Sequence, residues 1–365
     1  MDHADSGSHG RFFLSWYGDA WVQFPRYFLM RAYFLRRLLL VIPTLVGVTL
    51  LVFLVTRFAP GGPVEQAIMR AQTSGGHGGS SRGGGALSDD QLMQLKAYFG
   101  YDKPPIQAYG IWLMRLLHGD LGNSFSYGEP VTQVIWGAIP VTFAYGVLSL
   151  LITYCISIPL GIVKAMKHRT LIDSVSSVVI FIGYAIPGYA VGALLVVYLS
   201  AHLGWFPMGG FTSENWADLA TGQKVSDFIK HAVLPVTCYT LGGFAFVTLL
   251  TKNQLLDNLA ADYVRTAVAK GASFRRAVFG HAFRNSLIPL VTDFGQQVAV
   301  IVIGSILIET IFDLNGMGLL FYHAIVERDP MVVMGVLLVD ALLLLGCNFL
   351  TDAAIAFVDP RIRFK

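Results

Sequence analysis

The chain has 365 residues, of which 54% are hydrophobic and only 13% charged, and its mean hydropathy is +0.58. Soluble domains carry roughly 25% charged residues, so this composition excludes an ordinary soluble enzyme and points to a polytopic membrane protein. A net charge of +3 is too small to suggest a nucleic-acid partner.

The first 25 residues begin polar and turn aromatic, with Phe12, Phe13, Trp16, Tyr17, Trp21 and Phe24. They lack an apolar core followed by a small-residue cleavage site, so no cleaved signal peptide is expected. Residues 1–37 are read as a cytoplasmic extension, lying at the interface or disordered, and its Arg26, Arg31, Arg36 and Arg37 precede the first span, Leu38–Thr56. A polar region, 57–137, follows Ala59-Pro60-Gly61-Gly62-Pro63. Within it, 73–86 (TSGGHGGSSRGGGA) is a low-complexity linker. Ser88 is then expected to cap a helix with Leu92, Leu95 and Phe99 on one side, followed by an ordered run too polar to span. Five more apolar segments complete the chain, at Ala138–Val163, Val175–Leu203, Ala232–Leu250, Ser286–Phe312 and Met331–Val358. Each is near the ~20 residues that a bilayer requires, so the expected fold class is all-α, a six-span helical bundle with its five-helix core over 138–358 and a cytoplasmic tail over 359–365.

Pro140, Pro159, Pro187 and Pro235 are placed in or near helix ends, where membrane helices tolerate breaks. Gly188 and Gly192 form a GxxxG suited to close packing inside one subunit. Cys155, Cys238 and Cys347 lie far apart in apolar runs; they offer neither disulfide framework nor metal spacing and read as small core hydrophobes. Loops on the side of the amino terminus hold 17 of the 26 Lys and Arg, and six of the other nine belong to the long first loop, a weak voter. Both termini are therefore expected in the cytoplasm, together with the loop 252–285.

That loop carries the most informative stretch, Asp262 to Pro289. Asp262 can cap a helix start, Gly271 can end it in a left-handed turn, and Ser273 can cap the next helix. Val264, Ala267, Val268 and Gly271 fall on one helical face, with Arg265 and Lys270 off it, and Arg275, Arg276, His281 and Arg284 follow. A short amphipathic helix in a basic loop either docks on a cytoplasmic partner or lies against lipid headgroups.

Acidic groups occur within expected spans: Asp293, Glu309, Asp340 and Asp352. An ionised carboxylate at mid-bilayer costs about 2.5–3.5 kcal/mol, so each needs a partner, water or protonation. Asp293 and Asp340, well inside, are candidates for a water-filled path that meets a peptide ammonium, or they are hydrogen-bonded scaffold. Glu309 and Asp352 fit a position near the headgroups. Neither HExxH nor GxxxxGK[ST] occurs, and Gly79-x-Ser81-x-Gly83 lies in the linker without a strand or helix to strain it. His118, His168, His202, His231, His281 and His323, scattered near helix ends, suit headgroup-level or capping roles better than metal binding. The chain is expected to be non-catalytic and to bind no cofactor or metal itself.

RTAVAKGAS followed by HAFRNSLIP resembles the cytoplasmic EAA loop of ATP-binding-cassette (ABC) importer permeases, and within them the B-type subunits of the oligopeptide/dipeptide group. Where the general importer pattern has an Ile-x-Leu-Pro ending, this chain has His281, Phe283 and Arg284, with Pro289 later, a departure that the B-type subunits share. The resemblance extends over 34–365 without the linker, through APGGPVEQ, GDLGNSF, GYAIPG, LLTKN, AKGAS, HAFRN, ETIF, NGMG and VDPRI. IPLGIVKAMK, GYAIPGY, GFTSENW and LTKNQ are similar to the Yej-type branch, whose members resemble importers of oligopeptides and of the peptide-nucleotide antibiotic microcin C. It implies the type I ABC importer permease fold and a multi-pass protein of the bacterial inner membrane. By resemblance, Asp262, Tyr263, Val264, Arg265, Thr266, Ala267, Ala269, Lys270 and Gly271 form a coupling helix that inserts in a groove of a cytoplasmic ATPase. ATP and Mg would sit on that partner. A second permease subunit in a heterodimer and a periplasmic substrate-binding protein are the other implied partners, with lipid around the bundle and a peptide-like substrate. The alternative from the residues is a secondary transporter or channel driven by an ion gradient, against which stands the absence of an inverted repeat or paired broken helices.

Overall fold

The computed structural model describes residues 10–62, 64–66, 68–69, 89–98 and 100–358. The expected linker 73–86, the cap at Ser88, Phe99 and the tail 359–365 lie outside them, as do residues 1–9. The described residues contain no β-strand. Helix α1, Gly10–Phe58, runs unbroken for 49 residues and so contains the first expected span. Short helices α2 (Asp89–Tyr98) and α3 (Pro105–Leu117) follow, then α4 (Val131–Met166). The next expected span divides into α5 (Leu171–Ala185) and α6 (Gly188–Leu195, prolonged by a π-helical turn to His202), which meet at 86°. Helix α7 is Thr221–Ala260, and α8, Asp262–Ala269, is the short helix of the basic loop. After Phe274–Arg276 and a π-helical stretch, Ala277–Ala282, come α9 (Phe283–Ile303), α10 (Ile306–Ile311), α11 (Met317–Val326) and α12 (Pro330–Val358). Among the described residues four helices are long and apolar enough to cross a bilayer, and five if the bent pair α5–α6 is one span; the remaining expected span is α9 and α10, parted at Gly304 and Ser305.

The solvent pattern is that of a lipid-embedded bundle. Leu38, Leu39, Leu40, Ile42 and Leu51 of α1 are exposed, whereas Ser157, Thr248, Thr251, Lys164, Glu309 and Asp329 are almost wholly buried. Apolar side chains have no reason to avoid lipid, so polar and small residues mark the packed faces. Helices α4 and α7 lie against each other at Gly161, where a Cβ would meet the carbonyl oxygen of Thr248 at 2.8 Å. At Gly188 a Cβ would come within 2.6 Å of the Cys238 carbonyl oxygen, and at Gly192 within 3.2 Å of the Cys238 Sγ. The GxxxG therefore packs α6 on α7 inside the subunit.

Several expectations change. Pro140, Pro159 and Pro235 sit within α4 and α7, which continue through them. Only Pro187 marks a break, at the α5–α6 bend. Cys238 is a core residue, but Cys155 is exposed on α4 and Cys347 is half-buried. Glu309, expected near the headgroups, is 1% exposed and enclosed by four elements, so protein groups and not headgroups or water surround its carboxylate. Asp352 does lie near an end, where Arg37 of α1 pairs with it and Tyr33 donates to it at 2.9 Å.

The GDLGNSF run has a local explanation. Asp120 Oδ1 accepts the Gly122 N–H at 2.8 Å, and Ser124 Oγ donates to Asp329 at 2.6 Å. Asp329 also accepts the N–H groups of Phe125 (2.8 Å), Ser126 (3.1 Å) and Val332 (3.2 Å). One buried carboxylate thus caps α12 and pins the polar segment to it.

Candidate coupling loop and substrate path

Helix α8 is set by its ends. Its N-cap is Ala261, in extended conformation; Asp262 is the first helical residue, so it favours the helix by its charge and not as the cap expected of it. At the other end the Ala272 N–H donates to the Ala267 carbonyl at 3.1 Å and the Gly271 N–H to that of Val268 at 2.9 Å, with Gly271 at φ +89°. This is a Schellman ending, which demands a left-handed residue after the cap. Ser273 Oγ then accepts the Arg276 N–H at 3.4 Å, as the cap of the following turn.

The predicted apolar face of α8 divides in two. Val264, 3% exposed, joins a buried cluster with Ile162 and Ala165 of α4, Leu255 of α7 and Ala277, Val278 and Ala282. Val268 is 49% exposed and Ala267 half-buried. Tyr263, Arg265, Thr266, Ala269, Lys270 and Gly271 are exposed, and Arg265 pairs loosely with Asp262 at 3.7 Å. Val264 thus anchors α8 to its own chain and leaves the rest of the helix outward. A polar relay reinforces the anchor. Tyr263 OH donates to Asn258 at 2.6 Å, the Asn258 amide donates to Ser286 Oγ at 3.1 Å, and Ser286 Oγ contacts the Gln254 and Ala282 carbonyls. Sequence spacing missed Asn258 and Ser286, because the relay joins residues 28 apart.

Inside the bundle a cavity of about 400 Å³ is walled by α4, α6, α7, α9 and the α9–α10 break. Ser149, Thr153 and Tyr154 supply one side, Tyr189 and Tyr239 two others, and Gln297 a fourth. Asp293 is 8% exposed and accepts the Tyr154 hydroxyl at 2.5 Å, so it reaches the cavity through that phenol. Asp340 is not part of the cavity wall; its Oδ1 is buried without a hydrogen-bond donor among the described residues. The two path candidates are thus not equivalent. Glu309 lies behind Tyr239 and Ser305 of the wall: its carboxylate accepts from Thr142 Oγ1 (3.0 Å), Tyr239 OH (3.2 Å), Ser305 N (3.4 Å) and Leu319 N (2.9 Å). Tyr239 both lines the cavity and binds Glu309, a role that no motif signalled.

Helix α4 orders these groups like a ruler. Thr142 holds Glu309, Tyr154 holds Asp293, and Lys164 holds Asp173 of α5. At 1.5 Å per residue they stand about 18 and 15 Å apart along its axis. The cavity therefore lies between a sealed carboxylate node towards one pole and a charged cluster next to α8 at the other.

The family model for "binding-protein-dependent transport system inner membrane component" matches residues 157–364. Over 92% of this chain and 99% of the relative, the sequence is 38% identical to the peptidoglycan transport system permease protein YejB of Agrobacterium fabrum. It is also 38% identical to the inner membrane ABC transporter permease protein YejB of Escherichia coli O157:H7 (92% and 100% covered). To the oligopeptide transport system permease protein AppB of Bacillus subtilis it is 34% identical, with the same coverage. Among solved structures, the MetNI methionine ABC transporter in an inward-facing conformation aligns with 62% of this chain and 97% of its own, at 16% identity and a TM-score of 0.48. The match over most of the core, with relatives aligned along nearly their entire length, places the chain in the family of inner-membrane permease components of binding-protein-dependent ABC transport systems.

Proposed function

We propose that this permease takes up oligopeptides or peptide-like compounds, pairs with a second permease subunit, and is driven by cytoplasmic ATPases that grip α8. A periplasmic binding protein delivers the substrate, and the termini and α8 face the cytoplasm. The substrate class rests on relatives named for peptidoglycan, oligopeptide and dipeptide transport. The driving contact rests on one observation: Val264 is the one buried side chain of α8, and the helix leaves Arg265, Thr266, Val268, Ala269 and Lys270 exposed. A rigid helix of this kind can make different contacts with a partner in two states, which is what transmission of force requires. Asp293, behind Tyr154, would meet the substrate ammonium in the cavity, with Asp340 lying farther from the path.

Gly271→Asp tests the docking. A Cβ at Gly271 meets nothing within 4 Å, so the substitution clashes with no atom of this chain. Its intrinsic penalty is the left-handed φ, about 1 kcal/mol, which Gly271→Ala carries as well. Uptake by the aspartate variant should fall by roughly tenfold or more, the size of an allosteric coupling term, with normal membrane insertion, while the alanine variant stays within a few-fold of wild type. ATP-dependent uptake of a labelled peptide and co-purification with the ATPase measure this; normal uptake by the aspartate variant would sink the docking role.

A further inference from the structure

Helix α5 is held to its own chain in an unusual way. Of its fifteen residues only Asp173 and Ile180 are buried. Leu171, Val175, Val178, Val179, Phe181 and Ile182 are all more than half exposed. Asp173 sits in the first turn and binds two lysines from two other helices. Lys252 Nζ of α7 donates to both carboxylate oxygens, at 2.7 and 2.8 Å. Lys164 Nζ of α4, with a fully buried side chain, lies 3.1 Å from Oδ1 and donates to the Asp173 carbonyl (2.9 Å), Ser176 Oγ (2.7 Å) and Ser177 Oγ (2.9 Å). The Arg169 N–H and the His168 ring also face the carboxylate, at 3.2 and 3.3 Å.

The second fixed point is the bend, where Gly188 rests on the α7 backbone at Cys238. From Asp173 to Gly188 and from Lys252 back to Cys238 the rise is about 22 and 21 Å, so α5 lies antiparallel along α7, riveted at both ends. Lys252 stands one helical turn before Leu255, which shares the buried cluster of Val264. Gly188 and Tyr189, just past the bend, line the cavity.

We infer that the Lys252–Asp173–Lys164 cluster is the tether that makes α5 follow α7, so that movement of α8 reaches the cavity wall at Gly188 and Tyr189. This assigns Lys252 and Asp173 as positioning residues. The inference rests on the proposed role of α8, and its test separates the two. In a chain whose three cysteines are replaced by alanine, spin labels at Leu171→Cys and Asp257→Cys report the α5–α7 distance in the purified transporter. That distance should be narrowly distributed with Lys252 present, broad in Lys252→Met, and narrow again in Lys252→Arg.

In proteoliposomes with the partner subunits, Lys252→Met should still co-purify with the ATPase and hydrolyse ATP. It should move roughly tenfold fewer molecules of radiolabelled trialanine per ATP, with Lys252→Arg restoring the ratio. Should Lys252→Met not assemble, Asp173→Glu, which keeps the charge and lengthens the arm by one methylene, carries the same measurements. An unchanged distance distribution overturns the tether, as does an unchanged peptide-to-ATP ratio in an active transporter or a parallel loss of ATPase and uptake. Absence of ATP-dependent uptake by the wild type would instead count against the proposed function, leaving the label distances to decide the tether.

Discussion

Glu309 and Asp293 show how differently two carboxylates can be kept in a bilayer. Glu309 accepts four hydrogen bonds, two of them from backbone N–H groups that cannot turn away. In Glu309→Gln the new amide must point a donor at the N–H of Ser305 or of Leu319, whichever way it is rotated. Leaving a buried donor unmatched costs about 1–3 kcal/mol, so this variant should unfold at lower temperature in detergent, by that much. Asp293 accepts the Tyr154 hydroxyl, and a phenol can either donate or accept. Asp293→Asn keeps that contact and should melt within about 1 kcal/mol of wild type, while uptake of a labelled peptide falls. Equal uptake by Asp293→Asn and wild type would reduce Asp293 to scaffold. The sequence marked both residues as out of place in apolar runs but did not show how Glu309 is satisfied. Glu309 lies near the end of a span, where water is the ordinary partner, and nothing in a linear reading shows Thr142 and Tyr239 arriving from 167 and 70 residues away.

At the scale of elements, hydropathy located the apolar helices α1, α4, α7 and α12 and the bent pair α5–α6 because the bilayer acts on whole windows of side chains. It could not show where a window bends. The run 175–203 reads as one span, yet Pro187 has no N–H to give and the chain turns by 86° there. Pro140, Pro159 and Pro235 stay inside continuous helices, as membrane bundles tolerate. The GxxxG was legible, because small residues at that spacing serve one purpose in an apolar helix; its partner, the Cys238 turn of α7, was not. Gly188→Leu should drive a side chain into that backbone and cost well over 1 kcal/mol by overpacking. Folded protein and uptake should fall together in that variant, whereas Gly271→Asp separates them. Size-exclusion recovery in detergent, compared with uptake, distinguishes the two patterns.

The whole molecule has two unlike poles joined by α4. At one, Asp329 fastens the polar segment around Ser124 to α12. At the other, Lys164, Asp173 and Lys252 stand beside the cluster that seats α8, in the region richest in Lys and Arg. The proposed orientation, with the α8 pole in the cytoplasm, follows from the positive-inside rule, and the proposed ATP-driven mechanism requires the same, since nucleotide is found there. In a chain freed of Cys155, Cys238 and Cys347, a cysteine at Val268 should react with a membrane-impermeant maleimide in inside-out vesicles and not in right-side-out ones. A cysteine at exposed Glu214, in the loop between α6 and α7, should show the reverse. Val268→Cys labelling from the outside would put α8 beyond the reach of any ATPase, and the docking role and the α5 tether's part in it would fall together, whatever uptake assays had given.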